Sequence, residues 1–151
     1  MSHSAPRPAP PGDDALQDLL RVAFAALELA HSPYSQVKVG AAILCDDGRI
    51  FSGCNVENAS FGLTLCAERV AAVKAVSAGS TRFAAMAIAS SLDRPMMPCG
   101  ACRQFLSEFA PAPSVPSLMI IVQGKQGAPF RAKLSELLPH AFGPGDLPRT
   151  P

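Results

Sequence analysis

Cys66-Ala67-Glu68-Arg69-Val70-Ala71-Ala72-Val73-Lys74-Ala75 and Pro98-Cys99-Gly100-Ala101-Cys102 decide the reading of this chain. Cys99 and Cys102, at i and i+3, share one helix face a turn apart, so one cation can touch both. Cys66 stands just ahead of a run of helix formers and is placed at a helix start. If both cysteine segments open helices, each thiolate lies near the positive end of a macrodipole, which favours deprotonation and metal binding. Three thiolates leave the fourth tetrahedral position of zinc open, and a carboxylate, Glu68, sits two residues from the first ligand. An open position is the mark of a catalytic rather than a structural zinc.

Other uses of these residues explain less. A cysteine pair three apart also serves redox chemistry, but such a pair has no use for a third cysteine followed by Ala-Glu. A structural zinc site closes with four protein ligands, and His31 and His140 are both remote in sequence. Cys45 and Cys54 lie in apolar, strand-like segments and read as core filler.

Working outward, residues 1–12 hold Pro6, Pro8, Pro10 and Pro11 with little apolar content and read as a disordered extension. Residues 13–151 then form a single domain. Asp13 and Asp14 are expected N-caps of an amphipathic helix whose apolar series Leu16, Leu19, Leu20, Ala23, Phe24, Leu27 ends near Ala30. That helix is too short and too charged to span a bilayer. Strands are expected at Val37 to Cys45 and Arg49 to Cys54 around the Asp46-Asp47-Gly48 turn, then at Phe83 to Ala89, Leu118 to Val122 and near Phe130. The two metal helices are expected over Leu65 to Ala78, stopped by Gly79, and Gly100 to Phe109, broken by Pro111 and Pro113, with a last helical turn at Leu134 to Leu138. Strands alternating with helices after an opening hairpin imply an α/β fold, a three-layer α/β/α sandwich on a mixed sheet.

Composition bounds the function. The chain has 151 residues, is 48% hydrophobic, and carries 13 basic against 12 acidic residues for a net charge of +1. One domain with a full core is expected. Scattered Lys and Arg positions lack the basic footprint of a nucleic-acid binder. Five cysteines without an apolar leader read as a cytoplasmic chain whose reduced thiols hold metal.

The residues Cys66-Ala67-Glu68 with Pro98-Cys99-Gly100-Ala101-Cys102 resemble the zinc signature of the cytidine deaminases. The resemblance extends through Ser32-Pro33-Tyr34-Ser35, Val39-Gly40-Ala41-Ala42, Gly53-Cys54-Asn55-Val56-Glu57-Asn58 and Leu137-Leu138-Pro139 with Phe142-Gly143-Pro144, over roughly residues 15 to 148. It is similar to the short, homotetrameric nucleoside deaminases. The resemblance implies a five-stranded sheet, one Zn²⁺ per subunit on Cys66, Cys99 and Cys102, and hydrolysis of cytidine or deoxycytidine to the uridine product and ammonia. Glu68 is then the proton shuttle between the nucleophilic water, N3 of the base and the leaving amine. Arg69 offsets the excess thiolate charge, Asn55 and Glu57 hold the ribose hydroxyls, and the Ala67 backbone meets the polar edge of the base. Phe142 reaches the substrate of a neighbouring subunit, which places active sites at subunit interfaces. A carboxylate built for a sugar hydroxyl implies rejection of the free base, since Glu57 would be left buried and unpaired.

The chain departs from that family at three positions. Val37 stands where a phenylalanine usually packs on the nucleoside, Lys38 where proline is usual, and Phe61 where tyrosine is frequent. These bear on substrate choice and leave open a modified cytosine nucleoside as substrate. They do not bear on the metal chemistry. A zinc-stabilised domain without turnover is the remaining alternative.

Overall fold

A computed structural model describes residues 10–110 and 118–148. The extension expected over residues 1–12 lies largely outside this range, as do Pro111 and Pro113.

The chain runs α1 (Asp13–Leu27), β1 (Val39–Cys45), β2 (Ile50–Cys54), α2 (Ala67–Ser77), β3 (Phe83–Ser90), α3 (Gly100–Ser107), β4 (Met119–Gln123), β5 (Phe130–Lys133) and α4 (Leu134–Leu137). One sheet holds all five strands in the order β2-β1-β3-β4-β5. β1 is antiparallel to β2 and to β3, β3 is parallel to β4, and β5 returns antiparallel. The sheet is mixed, and helices cover both faces, as the alternation of elements implies.

Side chains alternate across the sheet and divide the core in two. Ala42, Ala85, Ala87, Ala89 and Ile121 face Leu16, Leu19, Leu20, Ala23 and Leu27 of α1. Ala41, Ile43, Met86, Ile88, Ile120 and Val122 face Ala67, Ala71, Ala72 and Ala75 of α2 and Leu106 of α3. Each fully buried leucine or isoleucine contributes about 1.5–3 kcal/mol of transfer free energy. The alanines serve proximity, because α1 and α2 approach the strands closely. A Cβ on Gly40 would lie 2.0 Å from the Ala23 carbonyl oxygen, and one on Gly53 would lie 2.6 Å from the Ala71 nitrogen. Only glycine admits such contacts.

The element boundaries differ from expectation at several ends. Gly12, not Asp13 or Asp14, is the N-cap of α1, and the two aspartates occupy its first turn, where they complement the macrodipole without capping. α1 stops at Leu27, and α3 stops at Ser107 before any proline. Val37 and Lys38 precede β1 rather than opening it, because their polar backbone groups bond to the side chains of Asn55 and Ser91. Cys45 is buried as expected, but Cys54 is only half-buried, its thiol 3.4 Å from the Leu29 carbonyl. α2 ends on Gly79 at φ 86°, the left-handed stop that glycine supplies.

Topology assembles one end of the sheet. β2 and β3 are both antiparallel to β1 and so run the same way. α2 follows β2 and α3 follows β3, so both helix N-termini emerge beside the carboxyl ends of those strands, where α/β sheets bind ligands. β1 starts at this same end. Among the described residues, no helix is long and apolar enough to cross a membrane.

Candidate metal centre and substrate cleft

Cys66 is the N-cap of α2 and Cys99 the N-cap of α3, each in extended conformation, and Cys102 follows one turn into α3. α2 and α3 touch, so the two caps face each other. The three Sγ atoms lie within 4.8 Å of one another, with Cys66 and Cys99 separated by 3.9 Å. Zinc at its usual 2.3 Å from sulfur sets tetrahedral S···S edges of about 3.8 Å, so the cluster fits that ion. No histidine or carboxylate completes a fourth ligand among the described residues. One sulfur, that of Cys66, is already drawn towards the thiolate. The Cys66 thiol is pulled down to about 5, first by the hydrogen bond from Cys102 and then by Arg69 and Cys99. The Cys102 thiol is raised, because it donates to Cys66 and is buried. Metal binding takes all three as thiolates.

Glu68 sits in the first turn of α2, 5% exposed, on the wall of the cleft that reaches Cys66 and Cys99. Burial pushes its carboxyl up to about 7, and the Cys66 thiolate adds to the rise. A cation on the sulfurs opposes both effects. Arg69 donates through Nη2 to the Thr64 carbonyl at 3.2 Å and approaches the Cys66 sulfur at 3.9 Å. The thiolate in turn raises the guanidinium's already high pKa.

The cleft holds about 290 Å³ and is lined by Val37, Asn55, Ala67, Glu68, Met96 and Met97 beside the sulfurs. A second hollow of about 420 Å³, lined by Tyr34, Ser35, Glu57, Phe61 and Thr64, adjoins it and shares Ser35 and Thr64. The sulfurs and Glu68 thus lie on the cleft wall, while Ser35, Glu57 and Thr64 place polar groups in the adjoining hollow beside the Tyr34 and Phe61 rings. Phe61 is 74% exposed and packs edge-on against Tyr34, with ring centroids 5.8 Å apart.

Asn55 and Glu57 follow β2 and hold the segment that enters β1. Asn55 accepts from the Val39 N–H and donates to the Val37 carbonyl, both at 2.9 Å. Glu57 accepts from the N–H groups of Tyr34 at 2.9 Å and Ser35 at 3.2 Å and from the Ser35 hydroxyl. The Ser35 hydroxyl bond, followed by the backbone bonds, holds the Glu57 carboxyl below its usual range. These bonds secure Gln36, whose φ of 58° is a left-handed conformation that costs a non-glycine residue energy. The geometry corrects one expectation. Glu57 is half-buried and already satisfied, so an absent sugar hydroxyl does not strand its charge.

Phe142 lines neither hollow. It is 58% exposed, and its carbonyl accepts from the Gln104 side chain on α3 at 2.8 Å. Met96 and Met97 escaped the sequence reading because two methionines before a proline carry no periodic signal. Only the return of the chain after β3 brings them to the cleft.

The model of the cytidine and deoxycytidylate deaminase zinc-binding region matches residues 13–118, a span that contains all three sulfurs and Glu68. The chain belongs to this deaminase family. Among its relatives, the cytidine deaminase of Halalkalibacterium halodurans is 44% identical over 131 residues, 87% of this chain and 96% of the relative. That of Mycobacterium tuberculosis is 46% identical over 121 residues, 80% and 84% of the two chains. The crystal structure of cytidine deaminase from Burkholderia pseudomallei superposes on 83% of this deaminase and 98% of the neighbour at a TM-score of 0.77 and 44% identity. The five-stranded α/β architecture is thus shared with these deaminases, and the matched zinc-binding region contains the three-sulfur cluster.

Proposed function

We propose that this deaminase converts cytidine and deoxycytidine with water into uridine and deoxyuridine plus ammonia. The carrying observation is a buried carboxyl, Glu68, on the wall of a cleft that reaches Cys66 and Cys99 of a three-thiol cluster with no fourth protein ligand among the described residues. A structural zinc needs neither the cleft nor the carboxyl.

Zinc held by Cys66, Cys99 and Cys102 supplies Lewis-acid activation of a water nucleophile. Glu68 accepts the proton that this water loses and delivers it to N3, which makes C4 electrophilic. After the water oxygen bonds to C4, the same carboxyl takes the remaining proton from that oxygen and passes it to the exocyclic nitrogen, and the C4–N bond breaks to release ammonia and leave a C4 carbonyl. A carboxyl held 5% exposed beside the sulfurs is positioned to pass protons in both directions. Ala67, at the start of α2, offers backbone groups to the polar edge of the base, and Arg69 balances the thiolate charge.

Asn55 retains one amide hydrogen and Glu57 a free lone pair beyond the bonds that hold the 34–39 segment, and these face the ribose end. Val37 leaves the cleft wider than an aromatic would. A small nucleoside is the partner rather than a polymer, in keeping with a net charge of +1. Phe142, exposed and outside its own cleft, completes the site of a neighbouring copy in a homotetramer.

The test is loss of ultraviolet absorbance with cytidine, deoxycytidine, cytosine and cytidine monophosphate, alongside metal analysis. Turnover of the two nucleosides by zinc-containing protein supports the reading. Zinc-loaded protein inert towards every cytosine compound refutes it.

A further inference from the structure

Arg103 is used by neither metal ligation nor proton transfer, yet its bonds surround one ligand. α3 begins at Gly100, so Cys99 stands outside the helix at φ −67° and ψ 166° and is exposed to solvent. No core packing fixes its position, and helical hydrogen bonding reaches it only through its carbonyl. Cys102 differs, being buried inside α3, and Cys66 is half-buried, with Arg69 fastened two residues upstream at Thr64.

Two carbonyls flank the Cys99 Cα, that of Pro98 and its own; the Arg103 side chain holds the first and the helix backbone the second. Its Nε–H donates to the Pro98 oxygen at 2.8 Å, and its main-chain N–H donates to the Cys99 oxygen at 3.0 Å. A third bond runs from Nη1 to the Leu137 oxygen at the end of α4, 2.9 Å away. No carboxylate pairs with Arg103 among the described residues, so the fork is directed at carbonyls alone. The planar guanidinium makes the two side-chain bonds, to Pro98 and Leu137, at once, whereas a lysine ammonium reaches as a point charge without fixed directions.

We propose that Arg103 is the positioning residue of ligand Cys99: its guanidinium locks the Pro98–Cys99 peptide plane that leads into that cysteine, using the C-terminal end of α4 as its anchor. The inference rests on the zinc-binding reading of the three sulfurs. Groups that orient metal ligands are worth about 10–100-fold in metal affinity, and the effect here is on how long the ion is held.

The experiment measures zinc release from the full-length, zinc-loaded protein into a chromogenic chelator, well below the unfolding temperature. Arg103→Ala is expected to release zinc about 10–100-fold faster, with Arg103→Lys in between. Gln104→Ala, the adjacent substitution, touches neither flank of Cys99 and should release at the wild-type rate. Ile120→Val, a core change in β4 that lowers unfolding temperature without touching this network, separates local positioning from global loosening. Wild-type release from Arg103→Ala overturns the proposal, and so does equally fast release from Ile120→Val. Should the alanine variant not fold, Arg103→Gln and Arg103→Lys carry the comparison, and wild-type release from both overturns it. Wild-type protein that takes up no zinc removes the metal reading itself, a failure visible in the first arm alone.

Discussion

Gly53→Ala tests whether the sheet sets the position of the catalytic helix. Gly53 lies in β2 opposite Ala41, directly beneath α2. Its added Cβ would meet the Ala71 nitrogen at 2.6 Å, the Ala67 oxygen at 2.8 Å and the Val70 Cβ at 2.9 Å, all on that helix and two of them backbone atoms. No side-chain rotation relieves these contacts. Reaching even a tight 3.4 Å requires α2 to retreat by about 0.8 Å. Overpacking of this kind costs about 1–3 kcal/mol. Cys66, Ala67 and Glu68 form the start of the same helix, and a misplacement near 1 Å lowers turnover by about 10²-fold. Urea unfolding, zinc content and deamination rate together read the three effects, with Gly145→Ala, whose Cβ meets nothing, as the control. A Gly53→Ala protein with wild-type stability and turnover would refute the claim that α2 is held by backbone contact.

Further expectations follow from the cleft and from the β1–β2 turn. Glu68→Gln should retain zinc and lose about 10²- to 10⁴-fold or more in kcat, and near-normal turnover would remove Glu68 from proton transfer. Val37→Phe should lower KM for cytidine by about 2- to 12-fold, the worth of roughly 0.5–1.5 kcal/mol of aromatic packing; an increase in KM would mean that position 37 does not meet the nucleoside. Asp47 accepts hydrogen bonds from Arg49 and from the Ser80 hydroxyl at 2.5 Å, and the Arg49 bonds, first, hold its carboxyl well below the usual range. Its folded pKa is lower than its unfolded one, so its contribution to stability is full above about pH 4 and is lost as pH falls further. Asp47→Asn should therefore be less stable at neutral pH and show a flatter acid-unfolding profile. Identical profiles would assign the turn no role in stability.

Much of the site was legible because metal chemistry requires particular atoms at particular spacings. Cys66, Cys99, Cys102 and Glu68 could be read as one constellation from residue type and helical period. The fold class followed from alternating apolar runs and helix formers, since strand and helix periods differ. Helix ends were less legible. α1 begins after Gly12 and α3 ends at Ser107 because backbone geometry, rather than the nearest aspartate or proline, closes those helices. Glu57 was expected to be stranded without a sugar. It is instead satisfied by Ser35, 22 residues away, a partner that no local pattern names.

Local chemistry in the chain thus determined which atoms could bind a metal and move a proton, since thiol, carboxylate and helical repeat are properties of neighbouring residues. Tertiary structure alone decided that β2 and β3 run the same way. That direction brings two helix starts, Val37, Met96 and the loop after β2 to one end of the sheet. It also decided that Arg103 closes on carbonyls from Pro98 and Leu137. Strand order and long-range hydrogen bonds arise from how the whole core packs, and no short window of sequence contains both partners.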